Sequence, residues 1–194
     1  YADVVIEFSP NEKGHFEFVN EIKGGVIPRE FIPSVEKGIL QAMQDGIVAG
    51  YPATGIRARL FDGSYHEVDS DSLSFEIAGR YAFREGCRKA NPIILEPIMK
   101  VEVETPDEYT GGIVGDLNRR RGQITGMSSR GGLQVVTALV PLKELFGYVT
   151  QLRTLSSGRA YAVLEFSHYQ PVPPHIQKQI IAQSKGLKAI KEQV

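Results

Sequence analysis

Ile98-Met99-Lys100-Val101-Glu102-Val103-Glu104-Thr105-Pro106-Asp107-Glu108 changes its period partway along. Met99, Val101 and Val103 alternate with Ile98, Lys100, Glu102 and Glu104, which predicts a strand with one buried face. At Thr105 the chemistry becomes that of a helix start: Thr as N-cap, Pro at the first helical position, and Glu three residues after the Thr. The predicted helix carries Tyr109, Ile113 and Leu117 as its core stripe. It ends in Arg119-Arg120-Arg121 before Gly122, where cations complement the helix dipole and the glycine takes a left-handed cap.

Downstream, the pattern predicts strands over Gln123–Met127 and Leu133–Val140, joined by a turn at Ser128–Gly132. A second helix over Leu142–Leu152 aligns Leu142, Leu145, Phe146, Val149 and Leu152, and a last strand covers Arg159–Phe166. Strand, helix, strand, strand, helix, strand is the split βαβ, or ferredoxin-like, order. Pro171-Val172-Pro173-Pro174 then introduces an amphipathic helix with Ile176, Ile180 and Ile181. It runs into a tail bearing Lys185, Lys188 and Lys191, expected to be poorly ordered.

Upstream, Val4, Ile6 and Phe8 alternate with polar neighbours, and Phe16 and Phe18 do so again, predicting two strands of a hairpin. Gly24-Gly25, Pro28 and Pro33 lead into a helix with Val35, Ile39, Ala42 and Met43 on one face, ended by Gly46. Ile56, Ala58 and Leu60 alternate with Arg57 and Arg59 in a strand that reaches a turn at Asp62-Gly63-Ser64. A helix from Asp71 to Ala90 follows. Its stripe of Phe75, Ala78, Ala82, Phe83, Gly86, Cys87 and Ala90 is rich in small residues that permit close packing, and Arg80, Arg84 and Arg88 lie opposite. The Pro-punctuated stretch Asn91-Pro92 to Glu96-Pro97 separates this pattern from the next. The expected organisation is α+β in two domains, 1–95 and 96–170, with a C-terminal helix and tail over 171–194.

Composition narrows the function classes. The 194 residues carry 22 Lys and Arg against 23 Asp and Glu, a net charge of −1, so any contact with a polyanion must rest on local clusters. No apolar run approaches the ~20 residues of a spanning helix, and the start lacks a signal-peptide pattern. With no initiator Met, a fragment is expected. A single Cys87, on an apolar helix face, suits a reducing compartment better than catalysis. The glycine-rich run ending in Lys and Ser or Thr that cradles phosphates is absent. His15, His66, His168 and His175 never pair at helical spacing, so a zinc site is not expected. Gly111, Gly112 and Gly115 fall inside a predicted helix, where close packing explains them better than a dinucleotide loop. No catalytic, cofactor-binding or metal-ligating set emerges, and a monomer is expected.

The segment Phe61-Asp62-Gly63-Ser64-Tyr65-His66-Glu67-Val68-Asp69-Ser70 places an aromatic, a histidine and several hydrogen-bonding side chains between a strand and a helix. Asp69 or Ser70 is expected to cap that helix. Tyr65 and His66 either belong to the turn or stack on and bond to RNA. Arg80, Arg84 and Arg88 stand one helical turn apart, and a solvated face is favoured over an RNA contact, with Glu76 and Glu85 near enough to neutralise part of the charge. For Arg119, Arg120 and Arg121 the helix end explains one or two cations, and an RNA contact is the reading for the run.

The runs Gly24-Gly25-Val26-Ile27-Pro28-Arg29-Glu30-Phe31-Ile32-Pro33, Asp62 to Ser70, Pro92-Ile93-Ile94-Leu95-Glu96-Pro97-Ile98-Met99, Gly115-Asp116-Leu117-Asn118 with Arg120-Arg121-Gly122, and Pro141 with Phe146-Gly147-Tyr148 resemble the elongation factor G family of translational GTPases. The resemblance holds in order from residue 1 to about 182. It implies that residues 1–95 form the family's fourth domain, a ribosomal-protein-like α+β unit that enters the decoding site during translocation. His66 would lie at its tip beside Asp62, Gly63, Ser64 and Tyr65, while Gly24 and Gly25 match a second turn. Residues 96–170 would be the ferredoxin-like fifth domain, which contacts large-subunit RNA near the GTPase-activating centre.

The partners so implied are the ribosome, ribosomal RNA, and the tRNA and mRNA of the decoding site, in the cytoplasm. No membrane is implied. The fragment itself would not be an enzyme, since GTP and magnesium belong to a G domain outside this sequence. The family's glycine- and arginine-bearing tip loop would precede Tyr1, Met127-Ser128-Ser129-Arg130-Gly131-Gly132 stands where a Glu-Pro-Arg-Gly-Asn run is usual, and the lysine tail is long. A ribosome-protection factor, a recycling factor or a specialised paralogue is the alternative. A metabolite-sensing ferredoxin-like module, suggested by the second half alone, has no need of Asp62 to Ser70.

Overall fold

The computed structural model describes residues 1–191, with side chains through residue 186. It divides into two compact units, one of residues 1–94 with the C-terminal helix, the other Leu95–Pro173.

In the first unit, β1 (Asp3–Pro10), β2 (Glu17–Asn20) and β3 (Ile56–Ser64) form a sheet in the order β1-β3-β2, with helices α1 (Ile32–Asp45) and α2 (Ser72–Lys89) on one face. The hairpin expected of the first two strands does not form. β3 lies between them, antiparallel to β1 and parallel to β2. Alternation marked each strand as half-buried, but it carries no record of which strand pairs with which. Val4, Ile6, Phe8, Phe18, Ala58 and Leu60 supply the sheet side of the core, and Val35, Ile39, Ala42, Phe75 and Phe83 the helix side. The two helices approach closely: a Cβ on Gly38 would lie 1.9 Å from the Glu76 carbonyl oxygen, and one on Gly79 2.4 Å from that of Val35.

The second unit is a sheet of order β5-β6-β4-β7, built from β4 (Leu95–Thr105), β5 (Gln123–Arg130), β6 (Leu133–Pro141) and β7 (Tyr161–Pro171), all neighbours antiparallel. α3 (Thr110–Arg119) and α4 (Tyr148–Ser156) close one face, their Ile113, Leu117, Tyr148 and Leu152 forming one core with Val101, Val103, Val136 and Ala138 of the sheet. This is the ferredoxin-like βαββαβ arrangement. α5 (Pro174–Lys191) follows, helical through Lys185, Lys188 and Lys191 where a poorly ordered tail is expected, and for residues 192–194 that expectation lies outside the described residues.

Local chemistry departs from expectation at five points. β4 keeps pairing as far as Thr105 opposite Gln134, so Thr105 is fully buried in the ladder and cannot cap a helix. A 3-10 turn, Asp107–Tyr109, intervenes before α3. At the other end of α3, Arg121 and not Gly122 takes the left-handed conformation, at φ 55°. Gly122 donates instead to the Leu117 carbonyl at 2.9 Å and Arg121 to that of Asn118 at 3.2 Å, the paired bonds of a Schellman motif. β5 and β6 run on into a two-residue turn at Gly131 and Gly132, both at positive φ. The helix expected over Leu142–Leu152 is broken into a 3-10 turn, Leu142–Leu145, then extended Phe146 and left-handed Gly147, before α4 begins.

Candidate functional site

β3 does not turn at Asp62-Gly63-Ser64 but continues through them, Ser64 opposite Asp3 and Gly63 opposite Val4. A bulge lets Phe61 stand as an extra residue between the Ile6–Leu60 and Val5–Asp62 pairs, which bends the strand end. Gly63 is demanded by close approach, because a Cβ there would meet the Asp3 carbonyl at 2.3 Å and Ile27 Cδ1 at 2.6 Å. The true turn is residues 65–70, and its closing helix cap is neither Asp69 nor Ser70. Asp71 is the N-cap, extended at φ −146° with its carboxylate accepting from Ser74 N–H at 2.7 Å, a bond that holds its carboxyl below the ordinary value. Ser70 is spent elsewhere.

Within the turn, His66 is held by three groups. Its ring stacks on Tyr1, centroids 3.7 Å apart and planes 3° from parallel. Its backbone N–H donates to Ser70 Oγ at 2.8 Å, and that hydroxyl donates on to the Tyr1 carbonyl at 2.7 Å. Nδ1 lies 3.0 Å from Asp69 Oδ1, and since an ionised carboxylate only accepts, Nδ1 is the donor of this pair; in the neutral imidazole that tautomer leaves Nε2 as an acceptor. The side chain remains 56% exposed. Ser64 Oγ donates to Asp3 Oδ2 at 3.1 Å and lies 3.0 Å from Tyr1 Oη, so the ring that supports His66 is itself anchored. Asp62 accepts from Gly63 N–H at 2.8 Å.

Tyr65, Asp62, Glu67, Val68 and Asp69 are exposed around this core. The turn therefore offers an oriented imidazole, an exposed phenol and acidic surroundings, on a frame locked at both strand and helix. Gly24 and Gly25, at φ 66° and 68°, form an exposed turn after β2. β2 is parallel to β3, so this turn leaves the sheet at the same end, and the chain returns through buried Ile27 beneath Gly63. Tyr1 and Ser70, which fix His66, were missed by sequence reasoning. Their partnership joins residues 69 apart in sequence, and no local signal announces it.

The two arginine groups sort differently. Arg80 donates to Gln41 Oε1 at 2.6 Å and Glu76 Oε1 at 3.5 Å, and Arg84 reaches Asp45 at 3.4 Å, so both tie α2 to α1. Among the described residues, Arg88 meets only Glu85, at 3.5 Å. In the second unit, Arg120 bonds Asp116 at 3.0 Å and donates to the carbonyls of Glu144 at 2.6 Å and Phe146 at 3.3 Å, lying over the Tyr148 ring. Arg121 makes a two-pronged bond to Glu96 at 2.9 and 3.0 Å and a third to Glu144 at 3.2 Å, contacts that raise its pKa further, those to Glu96 foremost. Arg119 alone of the three faces outward, 72% exposed.

Comparison with known proteins matches both units to one family. The family model described as elongation factor G, domain IV, matches residues 1–91, and the one described as elongation factor G C-terminus matches residues 93–180. The elongation factor G of Aquifex pyrophilus is 56% identical over 190 residues, 97% of this chain. The chain belongs to the elongation factor G family. It spans 27% of the length of the Aquifex elongation factor G. A crystal structure from Thermus thermophilus superposes with a TM-score of 0.86 at 41% identity, covering 96% of this chain and 28% of that one. The His66 turn thus lies in the region that matches domain IV of elongation factor G, and Arg119–Arg121 in the region that matches its C-terminus.

Proposed function

We propose that this chain is the ribosome-engaging part of an elongation factor G, and that in the whole protein it promotes GTP-dependent movement of tRNA and mRNA through the ribosome. The observation that carries this reading is the turn at residues 65–70, where a stacked, hydrogen-bonded His66 stands exposed at the end of a rigid sheet. A group so fixed loses little entropy on meeting its target, and an imidazole acceptor beside a phenol suits the 2′-hydroxyls, bases and sugar edges of RNA. The acidic neighbours Asp62, Glu67 and Asp69 repel phosphate, so shape and hydrogen bonding govern this contact more than bulk charge.

The chain's part is steric and non-catalytic. Nucleotide chemistry falls to a G domain holding GTP and magnesium, because nothing in this sequence matches a phosphate-cradling loop. Ribosomal RNA, tRNA and mRNA are the partners, and the cytoplasm the place of work. Among the described residues no helix is long and apolar enough to cross a membrane.

The test is His66→Ala in the full-length protein. Single-round translocation should slow roughly tenfold, the size expected for one lost hydrogen bond and stacking contact, while GTP hydrolysis stays close to wild type. Translocation at an unchanged rate would sink the assignment of His66. GTP turnover by the isolated 194-residue chain would sink the non-catalytic reading.

A further inference from the structure

α2 turns a second apolar row outward, away from the one it buries. Phe75, Gly79, Phe83 and Cys87 face the core. Leu73, Ile77 and Tyr81 recur at the same four-residue spacing, yet they are 60%, 36% and 60% exposed, and none belongs to the apolar cluster of the first unit. A single exposed leucine needs no explanation, but three large apolar side chains in one row make a ridge that the fold does not use. Ser74, Ala78 and Ala82 follow them one position on, short and half-buried. A tall row beside a low one is the relief into which another helix packs a row of its own.

The charges of this face suit a protein and not a polyanion. On the other flank of the ridge stand Glu76, Arg80 and Arg84, which are spent on α1: Glu76 meets Lys37 at 3.6 Å, Arg80 donates to Gln41 at 2.6 Å, and Arg84 reaches Asp45 at 3.4 Å. A phosphate backbone calls for open cations along its track, and here the cations beside the ridge are already paired. Exposed Asp69 and Asp71 stand at the N-terminal end of α2, and exposed Arg88 and Lys89 at its C-terminal end. The ridge thus runs from an acidic end to a basic one, and a matching helix carries its charges in the opposite order.

Three side chains cover far less than the ~800 Å² per partner that a free-standing complex buries, so the ridge alone does not hold a second copy of the chain. It fits a contact made inside an assembly that other surfaces already hold together. We propose that the row Leu73, Ile77 and Tyr81 docks an amphipathic helix of a ribosomal protein. This rests on the ribosome-engaging reading and gives the first unit a protein partner, on residues other than those of the His66 turn.

The experiment compares full-length wild type, Leu73→Ser, Tyr81→Ser and Ile77→Lys in equilibrium binding to ribosomes. A benzophenone amino acid at position 81 reports the neighbour by photocrosslinking. Docking predicts a crosslink to a ribosomal protein and affinity losses of about 5- to 20-fold for each serine variant, with a larger loss for Ile77→Lys. Melting temperatures of the two serine variants should match the wild type, since both side chains lie mostly in solvent, and this separates lost contact from lost fold. A gain in affinity for Ile77→Lys, or a crosslink to RNA, overturns the proposal in favour of a nucleic-acid contact. Sedimentation that shows a dimer dissolved by Tyr81→Ser overturns it in favour of a second copy. Serine variants that bind as the wild type does remove the docking ridge and leave the ribosome reading standing, whereas failure of the wild-type protein to bind ribosomes removes both.

Discussion

Gly63 occupies a position where no side chain fits, with the Asp3 carbonyl and the Ile27 side chain both inside the space a Cβ would take. Gly63→Ala must push β1 away from β3 or displace Ile27, a strain of about 1–3 kcal/mol. Urea unfolding of the chain should read that loss, and equal stability would mean that the strand end yields freely. The same displacement moves Ser64 and the Tyr1 ring, and so the support of His66. Single residues were legible from the sequence only where their chemistry is local. His66 and Tyr65 stood out because an imidazole and a phenol sit among turn-forming residues. The cap was placed one or two residues early, because Asp69, Ser70 and Asp71 are all competent N-caps. Tertiary contacts decide among them: Ser70 is drawn to the Tyr1 carbonyl and Asp69 to the imidazole, which leaves Asp71 for Ser74.

At the scale of elements, the run Arg119-Arg120-Arg121 shows how a pattern can be right about charge and silent about direction. Arg121 leaves α3 in the left-handed conformation, and this turn carries its guanidinium to Glu96 on β4, a carboxylate almost wholly buried. Arg121→Ala abandons that carboxylate without a partner, and the cost should be about 3 kcal/mol. Replacing both members, Arg121→Met with Glu96→Gln, removes the stranded charge and should restore most of the stability. Denaturant midpoints of the three chains check this, and a single variant as stable as the pair would show that water reaches Glu96. The broken helix before α4 has a related origin. Leu142, Leu145, Phe146 and Val149 fit a helical stripe, but Arg120 takes the carbonyls of Glu144 and Phe146, and Gly147 supplies a left-handed turn. Apolar spacing cannot reveal a carbonyl claimed by a side chain 24 residues away.

At the scale of the molecule, each unit closes its own apolar core. The cluster around Ile39, Leu60, Phe75 and Phe83 shares no residue with the one around Val101, Ile113, Leu117 and Val136. The sequence showed both layers through period-two strands and period-3.6 helices, and the proline-punctuated stretch Asn91 to Pro97 contains the step from Ile94 to Leu95 at which the contacts divide. Strand pairing was legible in the second unit, where the βαββαβ order leaves few topologies, and illegible in the first, where β2 reaches its neighbour only by running parallel to a strand 36 residues further on. Separate cores have an energetic consequence. Leu117→Ala empties a fully buried site in the second unit and should cost about 2–5 kcal/mol there. Hydrogen exchange read by mass spectrometry should show amides of β4, β6 and α3 losing protection, while those of β1, β3, α1 and α2 keep theirs. Equal loss across both groups would mean that the units unfold as one, and that the chain is a single cooperative body despite its two cores.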